Sequence, residues 1–573
     1  MIRQKTNERM KRCMASLKLD YTRYYRYHAL VEALENFCLE HPELTRLFSL
    51  GKSSGGRDIW CIELTNHATG KGDEKSGFYL DGNTHAGEVT GSMACLYTID
   101  YLLCNYGKNE QATWLLDHKA FYVIPRVSPD GAEFYLTTPY TVRSSDKEFT
   151  FPDYADPSGL VAADLDGDGL ILQMRLRDDM TGTMKISEKD DRLMIKRSPD
   201  DFGGAYYHVY TEGTIKNYDG YEIKMAQNKW NLDFNRNYPV NWKPPFQQNG
   251  AGPRPNSEPE TKAISDFLLS QKNLAACLYY HTAGGEHLRA LCIDTDDKMN
   301  ADDLTMYNAI GTMATGFTGY PVKGLFADYS DHKPQWGTFL DMTFTYLGMY
   351  SYATELWDLL GRAGMKDLTY AKMMKKTPAE QEEMQLKMLK WNDEFMAGDC
   401  FIAWHYFDHP QLGKVEIGGW NPKFGRQNPP AKLLEEECHK NMLFSLSFAA
   451  ATPGLAVHDL VAEMISEGIY KVTGCVENTG FMPTSGTLQA VTTKMAATVK
   501  ATLCGGEVMQ GDAELDLGHL KGHGNSGGGY GNVSGAGARK KVEWIIKAAV
   551  GSKVIVTARA PRAGMASAEL VLQ

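Results

Sequence analysis

Short apolar runs alternate with longer amphipathic stretches along the first two thirds of the chain. Five runs have the length and the bounding turns of buried strands: 58–64, 77–80, 120–124, 275–280 and 348–354. Helical patterns separate several of them, and one helix opens on a Ser-x-x-Glu capping box formed by Ser257 and Glu260. The alternation predicts an α/β fold in which helices flank a mixed, mostly parallel sheet.

The pattern changes after about residue 453. Short strand-like runs separated by turns follow, and a glycine-rich stretch at 522–537 is typical of a loop. We therefore expect a first domain at 1–455 and a small immunoglobulin-like β-sandwich at 456–573. Within the first domain we expect a polar insertion at about 137–228 and additional helices at about 358–452.

Composition and charge exclude several classes of protein. The 573 residues are too many for one hydrophobic core, and a formal charge of -11 argues against nucleic acid as the main partner. No apolar run is long enough to span a membrane. Eleven cysteines are dispersed without a Cys-x-x-Cys pair, and residues 1–10 lack the apolar core of a secretion signal. These features favour a cytoplasmic location.

Polar side chains stand where three of the predicted strands end. His85 and Glu88 follow the run at 77–80, His281 follows the run at 275–280, and Glu355 follows the run at 348–354. Ligands of open α/β sheets bind beyond the carboxyl ends of the strands, so these four side chains are expected to converge. Two imidazoles and a carboxylate suit a catalytic zinc ion. From spacing alone, a zinc site and hydrogen-bonded core histidines remain alternatives.

Several separated motifs between about residues 20 and 357 resemble the carboxypeptidase A-type zinc metallocarboxypeptidases. The motifs are Gly51-Lys-Ser53, Gly56-Arg-Asp-Ile-Trp60, His85-Ala-Gly-Glu88, Pro129-Asp-Gly131, Asp233-Phe-Asn-Arg-Asn237, Ser257-Glu-Pro-Glu-Thr261, His281 and Thr354-Glu-Leu356. The resemblance implies a zinc carboxypeptidase-like fold. It also implies one Zn²⁺ per chain, with His85, Glu88 and His281 as its ligands.

The same resemblance implies roles for four further residues. Glu355 would be the carboxylate that acts as general base and then general acid. Asn235 and Arg236 would bind the terminal carboxylate of the substrate, for which the planar guanidinium is well matched. Asp233 would orient a ligand histidine, which we expect to be His85.

Two expected parts of such a site are harder to place. An arginine should stabilise the oxyanion, and Arg175 is favoured over its neighbour Arg177. A tyrosine should cover the site, and Tyr329 is the candidate. Counting back from Glu355, however, places Lys333 near the position where that tyrosine is expected.

Two positions bear on substrate preference. Leu340 falls where the family sets the preference for the C-terminal side chain, and an apolar residue there favours a neutral or apolar one. Gly87 stands where some relatives carry an arginine that helps to bind substrate further from the cleaved bond. The chain therefore departs from those relatives at this position.

The run Asp164-Leu-Asp-Gly-Asp-Gly169 has the first half of a calcium-binding loop. Asp164, Asp166 and Asp168 would supply oxygen ligands, but the twelfth position holds Arg175 instead of a bidentate glutamate. A Ca²⁺ site and an Asp/Gly turn without metal are both consistent with this sequence.

The sequence as a whole predicts a zinc-dependent metallocarboxypeptidase acting on a peptide with a free C-terminal carboxylate. Two alternatives remain open. The protein could be a zinc amidase acting on a cell-wall peptide or an acylated amino acid, or it could be a non-catalytic peptide-binding relative. The oligomeric state is not indicated.

Overall fold

The structure is a computed structural model that describes residues 18–149, 158–366, 368, 370–525 and 537–573. The described strands are β1 Thr45–Lys52, β2 Asp58–Leu64, β3 Ser76–Gly82, β4 Lys119–Ile124, β5 Gly159–Ala162, β6 Gln173–Arg177, β7 Met184–Ile186, β8 Met194–Lys196, β9 Tyr207–Thr211, β10 Gly213–Lys216, β11 Leu274–Thr282, β12 Glu286–Arg289, β13 Val322–Gly324, β14 Tyr350–Leu356, β15 Phe401–His409, β16 Gly413–Trp420, β17 Leu455–Ser466, β18 Ile469–Asn478, β19 Val499–Cys504, β20 Glu507–Gln510, β21 Glu514–Gly518, β22 Arg539–Lys547, β23 Lys553–Ala560 and β24 Gly564–Val571.

The described α-helices are Tyr27–Glu40, Thr90–Asn105, Glu110–His118, Pro129–Thr137, Pro259–Ser270, Ala301–Thr318, Leu359–Arg362, Tyr370–Met374, Pro378–Met396, Ala431–Ala450 and Leu488–Thr492. None of the helices in these described ranges has the length and apolarity needed to cross a bilayer.

The prediction of a capping box formed by Ser257 and Glu260 is wrong, because the N-cap of helix Pro259–Ser270 is Glu258 and has no side-chain cap hydrogen bond. The Glu260 carboxylate instead accepts a hydrogen bond from the Ser54 amide at 2.9 Å.

A central sheet of eight strands has the order β1-β2-β4-β3-β11-β14-β12-β13. Its middle strands, β4, β3, β11 and β14, run parallel to one another. The pairs β1–β2, β2–β4 and β12–β14 are antiparallel. The middle strands are almost continuously apolar because helices cover both faces of the sheet. The prediction of a mixed, mostly parallel, helix-flanked sheet is confirmed.

Two hydrophobic cores lie on the two faces of this sheet. The larger one packs helices Tyr27–Glu40, Thr90–Asn105, Ala301–Thr318 and Ala431–Ala450 against one face. The smaller one packs helix Pro259–Ser270 against the other. Burial on both faces leaves the carboxyl edge of the parallel strands as the place where polar side chains can gather.

The polar insertion and the region after the central sheet fold together. Strands β6 to β9 of the insertion join β15 and β16 in a six-stranded sheet of order β15-β16-β6-β9-β7-β8. Helices Pro378–Met396 and Ala431–Ala450 lie where the sequence predicts additional helices. The hairpin β15–β16 between them was not expected, because its pairing partner β6 is more than 200 residues away.

The C-terminal region is a sandwich of two four-stranded sheets, with orders β17-β18-β22-β20 and β21-β19-β23-β24. Buried side chains of both sheets, including Val472, Trp544 and Val556, form its own core. This confirms the predicted β-sandwich, while its immunoglobulin-like character stays a prediction. The glycine-rich loop expected at 522–537 lies largely outside the described residues.

The sandwich meets the central sheet at the amino ends of its strands. The buried guanidinium of Arg562 donates hydrogen bonds to the carbonyls of Leu347, Gly348 and Ser485, just before β14 begins. At the start of β4, the Lys119 ammonium donates to the carbonyls of Thr452 and Pro453 at 3.0 and 2.9 Å. The sandwich therefore adjoins the edge opposite the carboxyl ends, where the candidate site lies.

Candidate active site

His85, Glu88 and His281 form a compact group of buried donors. His85 Nδ1 lies 2.8 Å from Glu88 Oε1, His281 Nδ1 lies 2.7 Å from Glu88 Oε2, and the two Nδ1 atoms are 3.0 Å apart. All three residues are at most 3% exposed. One ligand atom from each residue lies within 4.8 Å of the others, so the group can hold a single metal ion.

The local sequence explains how the first two donors are aimed. β3 ends at Gly82, and Asn83 adopts a left-handed conformation with φ of 63°. The Asn83 carboxamide donates to the carbonyls of His85 and Ala86, which ties the turn back on itself before helix Thr90–Asn105 begins. Asparagine tolerates this backbone conformation better than most residues. His281 comes from the neighbouring strand β11.

The donor chemistry fits zinc. Two imidazole nitrogens, His85 Nδ1 and His281 Nδ1, meet the Glu88 carboxylate at one point. Burial acts to raise the pKa of the Glu88 carboxyl, but the two imidazoles lower it well below its usual range. Borderline nitrogen ligands with one carboxylate suit Zn²⁺ and leave one coordination position for water or substrate.

Asp233 contacts the ring nitrogen of His85 that faces away from Glu88, and Arg143 in turn contacts Asp233. Asp233 Oδ1 lies 3.1 Å from His85 Nε2, so it fixes the tautomer that leaves Nδ1 free to bind a metal. Arg143 Nε donates to the other Asp233 oxygen at 2.9 Å, and its Nη1 lies 3.5 Å from Glu88 Oε1. Burial acts to raise the pKa of Asp233, but Arg143 and other cations lower it overall. The structure thus brings Asp233 to the position predicted for it.

Glu355 stands beside His281 in the sheet. β11 and β14 are parallel neighbours, and their register pairs His281 with Glu355. Burial and the nearby Glu88 carboxylate raise the pKa of the Glu355 carboxyl, although His281 opposes them. A dication bound by the donor group would act in the same direction as His281 and favour the ionised form. Glu355 therefore lies next to the group that can hold a metal ion.

Tyr329 also faces this group. The carboxylate of Glu355 and burial raise the pKa of the Tyr329 phenol, so the phenol lies within electrostatic range of that carboxylate. Its side chain is 39% exposed, as expected of a residue at the rim. Lys333, which the residue count placed near the same position, is exposed on the surface. The location supports Tyr329 as the candidate, while its role stays a prediction.

The prediction of Arg175 as the oxyanion-binding residue is wrong in geometry. Arg175 lies on β6 of the six-stranded sheet, where its guanidinium donates to both oxygens of Glu416 at 2.8 and 3.2 Å and stacks on Trp404. Arg177 is exposed and paired with Asp179. Arg143, 42% exposed beside Glu88, occupies the site instead.

Sequence reasoning missed Arg143 because the insertion was expected to begin at about residue 137. The backbone carbonyl of Arg143 accepts the Ala86 amide at 2.8 Å, so residue 143 belongs with the motif at 85–88 rather than with the insertion.

Asn235 and Arg236 lie in one 3₁₀ turn that follows Asp233. The Asn235 carboxamide accepts the Phe339 amide at 2.8 Å, and Arg236 donates to Gln335 Oε1 at 2.7 Å. The turn therefore joins the metal-supporting acid to the predicted carboxylate anchor. Their role in substrate binding stays a prediction.

Leu340 is fully buried in the smaller core of the central sheet, next to Phe339 and near Tyr279. The side chain therefore shows no accessible surface toward a substrate. The predicted influence of Leu340 on side-chain preference stays a prediction.

The acidic loop gains a partner that sequence spacing could not reveal. Asp164, Asp166 and the fully buried Glu212 bring three carboxylates together, and the two Glu212 oxygens also accept the amides of Leu165 and Leu172. Asp168 instead accepts the Leu170 amide at 2.7 Å, and His405 Nε2 lies 2.9 Å from Asp166 Oδ2. Calcium binding stays a prediction.

Adding calcium to zinc-saturated protein should raise the melting temperature if Asp164, Asp166 and Glu212 bind it. Ligand at 100 times its dissociation constant stabilises the folded state by about 2.7 kcal/mol. Differential scanning calorimetry with and without calcium measures this shift, and Asp164→Asn serves as the control that should abolish it. An unchanged melting temperature in the wild type would remove the calcium site.

The central sheet and the donor group at its carboxyl edge define a zinc carboxypeptidase-like fold. The sequence model of the family described as zinc carboxypeptidase matches residues 30–154 and 213–377, just over half of the chain. The protein belongs to the zinc carboxypeptidase family, a family of zinc-dependent metalloproteases. Arg143 lies inside the matched residues, whereas Arg175 lies in the gap between them. A domain of unknown function matches residues 454–571.

Curated relatives match over short segments. Carboxypeptidase D of Homo sapiens is 31% identical over 124 residues, covering 22% of this chain and 9% of that protein. Zinc carboxypeptidase of Saccharothrix mutabilis subsp. capreolus is 33% identical over 118 residues, covering 21% of this chain and 27% of that protein. The chain thus aligns with about a quarter or less of the length of either relative.

Solved structures resemble the chain more distantly in sequence. Carboxypeptidase A from Helicoverpa armigera is 16% identical, covering 68% of this chain and 82% of that chain, with a TM-score of 0.40. Murein-tripeptide amidase MpaA from Escherichia coli O157 is 12% identical, covering 60% of this chain and 91% of that chain, with a TM-score of 0.24.

Proposed function

We propose that this protein is a zinc-dependent carboxypeptidase that hydrolyses the C-terminal peptide bond of a peptide. The observation that carries the proposal is the pairing of His281 with Glu355 across β11 and β14, which sets a proton-transferring carboxylate beside the metal-binding group. Family membership supports the zinc cofactor.

His85, Glu88 and His281 would hold one Zn²⁺ per chain. When bound, the ion would lower the pKa of a coordinated water to roughly 7 and polarise the substrate carbonyl. The protein's own contribution is to fix the donors. Asp233 holds the ring of His85, and Arg143 holds Asp233.

Three other side chains complete the proposed reaction. Glu355 takes a proton from the attacking water on its carboxylate and returns it to the amine of the departing residue. The guanidinium of Arg143 faces the donor group and stabilises negative charge that develops on the substrate carbonyl oxygen. Tyr329 borders the same space and covers the bound peptide.

Asn235 and Arg236 would select a chain end. A planar guanidinium binds a carboxylate through two parallel hydrogen bonds, which an amide cannot accept equally. Arg236 already donates to Gln335, so the substrate carboxylate would share or replace that neutral acceptor. This arrangement favours a free C-terminus over an amidated one.

Zinc-loaded protein should therefore remove the last residue of a peptide with a free C-terminus at least ~30-fold faster than that of the same peptide with an amidated C-terminus. The reason is that losing one partner of a charged hydrogen bond costs about 2 kcal/mol or more. Arg236→Gln should remove most of this difference. Product release measured by mass spectrometry, with a zinc chelator as the blank, decides the point. Equal cleavage of both peptides by the wild type would rule out Arg236 as the anchor.

Two alternative functions can be tested in the same experiment. A cell-wall peptide or an acylated amino acid belongs in the same substrate panel, and a strong preference for either would replace ordinary peptides as the substrate class. A non-catalytic relative would bind zinc and peptide without releasing product, and Glu355→Gln would then change nothing. The presence of Glu355 together with all three metal donors favours an enzyme.

We also propose a cytoplasmic location. Its support is the set of cysteines, each of which is a free thiol in the part of the chain that the structure describes.

A further inference from the structure

A loop from beyond the family-matched residues packs against the turn that carries the metal donors. The Asn428 carboxamide donates to the Gly87 carbonyl at 2.7 Å and accepts the Thr90 amide at 3.1 Å. On the far side, Trp357 Nε1 donates to the Gly425 carbonyl at 2.9 Å. The loop at 421–428 is therefore bound both to the turn at 85–90 and to the chain just after Glu355.

Gln427 fills the space that a side chain at residue 87 would occupy. A methyl group added to Gly87 would lie 2.6 Å from Gln427 Oε1 and 2.8 Å from both Gln427 Nε2 and a ring carbon of Tyr135. These distances are shorter than van der Waals contact, so a side chain at residue 87 would have to displace the Gln427 carboxamide and the Tyr135 ring. The half-buried carboxamide of Gln427 thus lies against Gly87, the residue that precedes the proposed metal donor Glu88.

The preceding residue of the loop, Arg426, borders a cleft of about 250 Å³. Arg426 lines this cleft together with side chains of the six-stranded sheet and of helix Pro378–Met396. Its lining is mainly apolar and includes Met194, Val209, Trp404 and Trp420. Arg192 also lines the cleft, and its guanidinium forms ion pairs with Asp190 and Asp393.

We infer that the loop at 421–428 and this cleft bind the part of the peptide that precedes the cleaved bond, with an apolar or aromatic side chain in the cleft. The inference rests on the proposed function and deepens it. In this inference the Gln427 carboxamide forms hydrogen bonds to the peptide main chain. The cleft at the six-stranded sheet selects the peptide's upstream side chain.

The direction of the peptide follows from the two ends of the site. The anchor at Asn235 and Arg236 borders Gln335 and Phe339, whereas the loop borders Gly87, Tyr135 and Trp357. A peptide whose terminal carboxylate is held at the anchor must continue past the metal donors away from it. Gln427 and the cleft offer hydrogen-bonding groups and apolar surface on the side of the loop.

Matched peptides test the inference. Acetyl-Ala-Phe is compared with longer acetylated peptides that end in Ala-Phe and carry either an aromatic residue or glycine upstream. The wild type should cleave the aromatic peptide with a kcat/KM about tenfold or more above the glycine peptide, the scale of discrimination by an apolar pocket. Val209→Trp, which fills the cleft, should reduce that ratio to near one and leave acetyl-Ala-Phe cleavage within about twofold. Gln427→Ala should instead lower kcat/KM for both longer peptides alike, because its carboxamide is assigned to the peptide main chain.

Lys390→Ala is the matched control, because Lys390 is on helix Pro378–Met396 with its side chain 74% exposed and away from the cleft lining. It should keep the wild-type ratio, and melting temperatures exclude unfolding. A wild-type ratio near one, or a Val209→Trp variant that keeps the full ratio, would overturn the selection by the cleft. An unchanged kcat/KM of the Gln427→Ala variant for both longer peptides would overturn the assignment of Gln427. If no peptide is cleaved, the proposed function fails, and calorimetric binding of the same peptides to zinc-loaded protein still decides whether the cleft selects aromatic residues.

Discussion

Glu355→Gln should lower kcat by about 10²–10⁴-fold, the range that a positioned general acid or base contributes. The register of β11 and β14 sets this carboxylate beside His281, and an amide of nearly the same shape cannot take up or return a proton. Steady-state hydrolysis of a peptide with a free C-terminus measures the loss.

The same variant must keep its metal for this result to be informative. Zinc content by elemental analysis should stay near one per chain, because Glu355 is not among the three grouped donors. Peptide binding should also persist. Turnover at the wild-type rate in a variant with intact zinc and peptide binding would show that Glu355 does not carry the proton.

Arg143→Ala should lower kcat/KM by about 10²–10³-fold, comparable to the loss of one oxyanion donor in other enzymes. Arg143 is the guanidinium that lies near Glu88, whereas Arg175 is held by Glu416 in another sheet. Added methylguanidine should restore part of the activity of the Arg143 variant, since it returns the cation without the side chain.

Arg177→Ala is the control for this experiment, because Arg177 neighbours Arg175 in sequence but is exposed and paired only at the surface with Asp179. It should leave kcat/KM within about twofold of the wild type. Zinc content separates two roles of Arg143, since this residue also holds Asp233. If Arg143→Ala loses zinc in proportion to its activity, Arg143 acts through the metal donors and not on the oxyanion.

The position of the sandwich limits what it can do in this reaction. Arg562 and Lys119 tie the C-terminal region to the amino ends of the central strands, while the metal donors stand at the carboxyl ends. A side chain of the sandwich is therefore on the wrong edge of the sheet to contact the bond that is cleaved. Its buried cation instead binds the Leu347 and Gly348 carbonyls in the turn that precedes β14, and the Ser485 carbonyl within the C-terminal region.

Much of the candidate site could be predicted from sequence because its parts are local. His85 and Glu88 are three residues apart on one turn, and His281 and Glu355 each end an apolar run that only a buried parallel strand explains. The helices flanking the sheet are recognisable from their own periodicity. For these elements the residue types and their spacing carry the information, and the sheet only has to bring the strand ends to one edge.

The tertiary structure alone decided the parts that depend on pairing between distant segments. Nothing in the local pattern of 173–177 shows that β6 pairs with β16, which removes Arg175 from the site and leaves Arg143 in it. The approach of Gln427 to Gly87 and of Glu212 to Asp164 likewise joins segments far apart in the chain. Such contacts are selected by the packing of whole elements. The sequence therefore determined which residues form the candidate metal-binding group and the carboxylate beside it, while the fold determined what surrounds them.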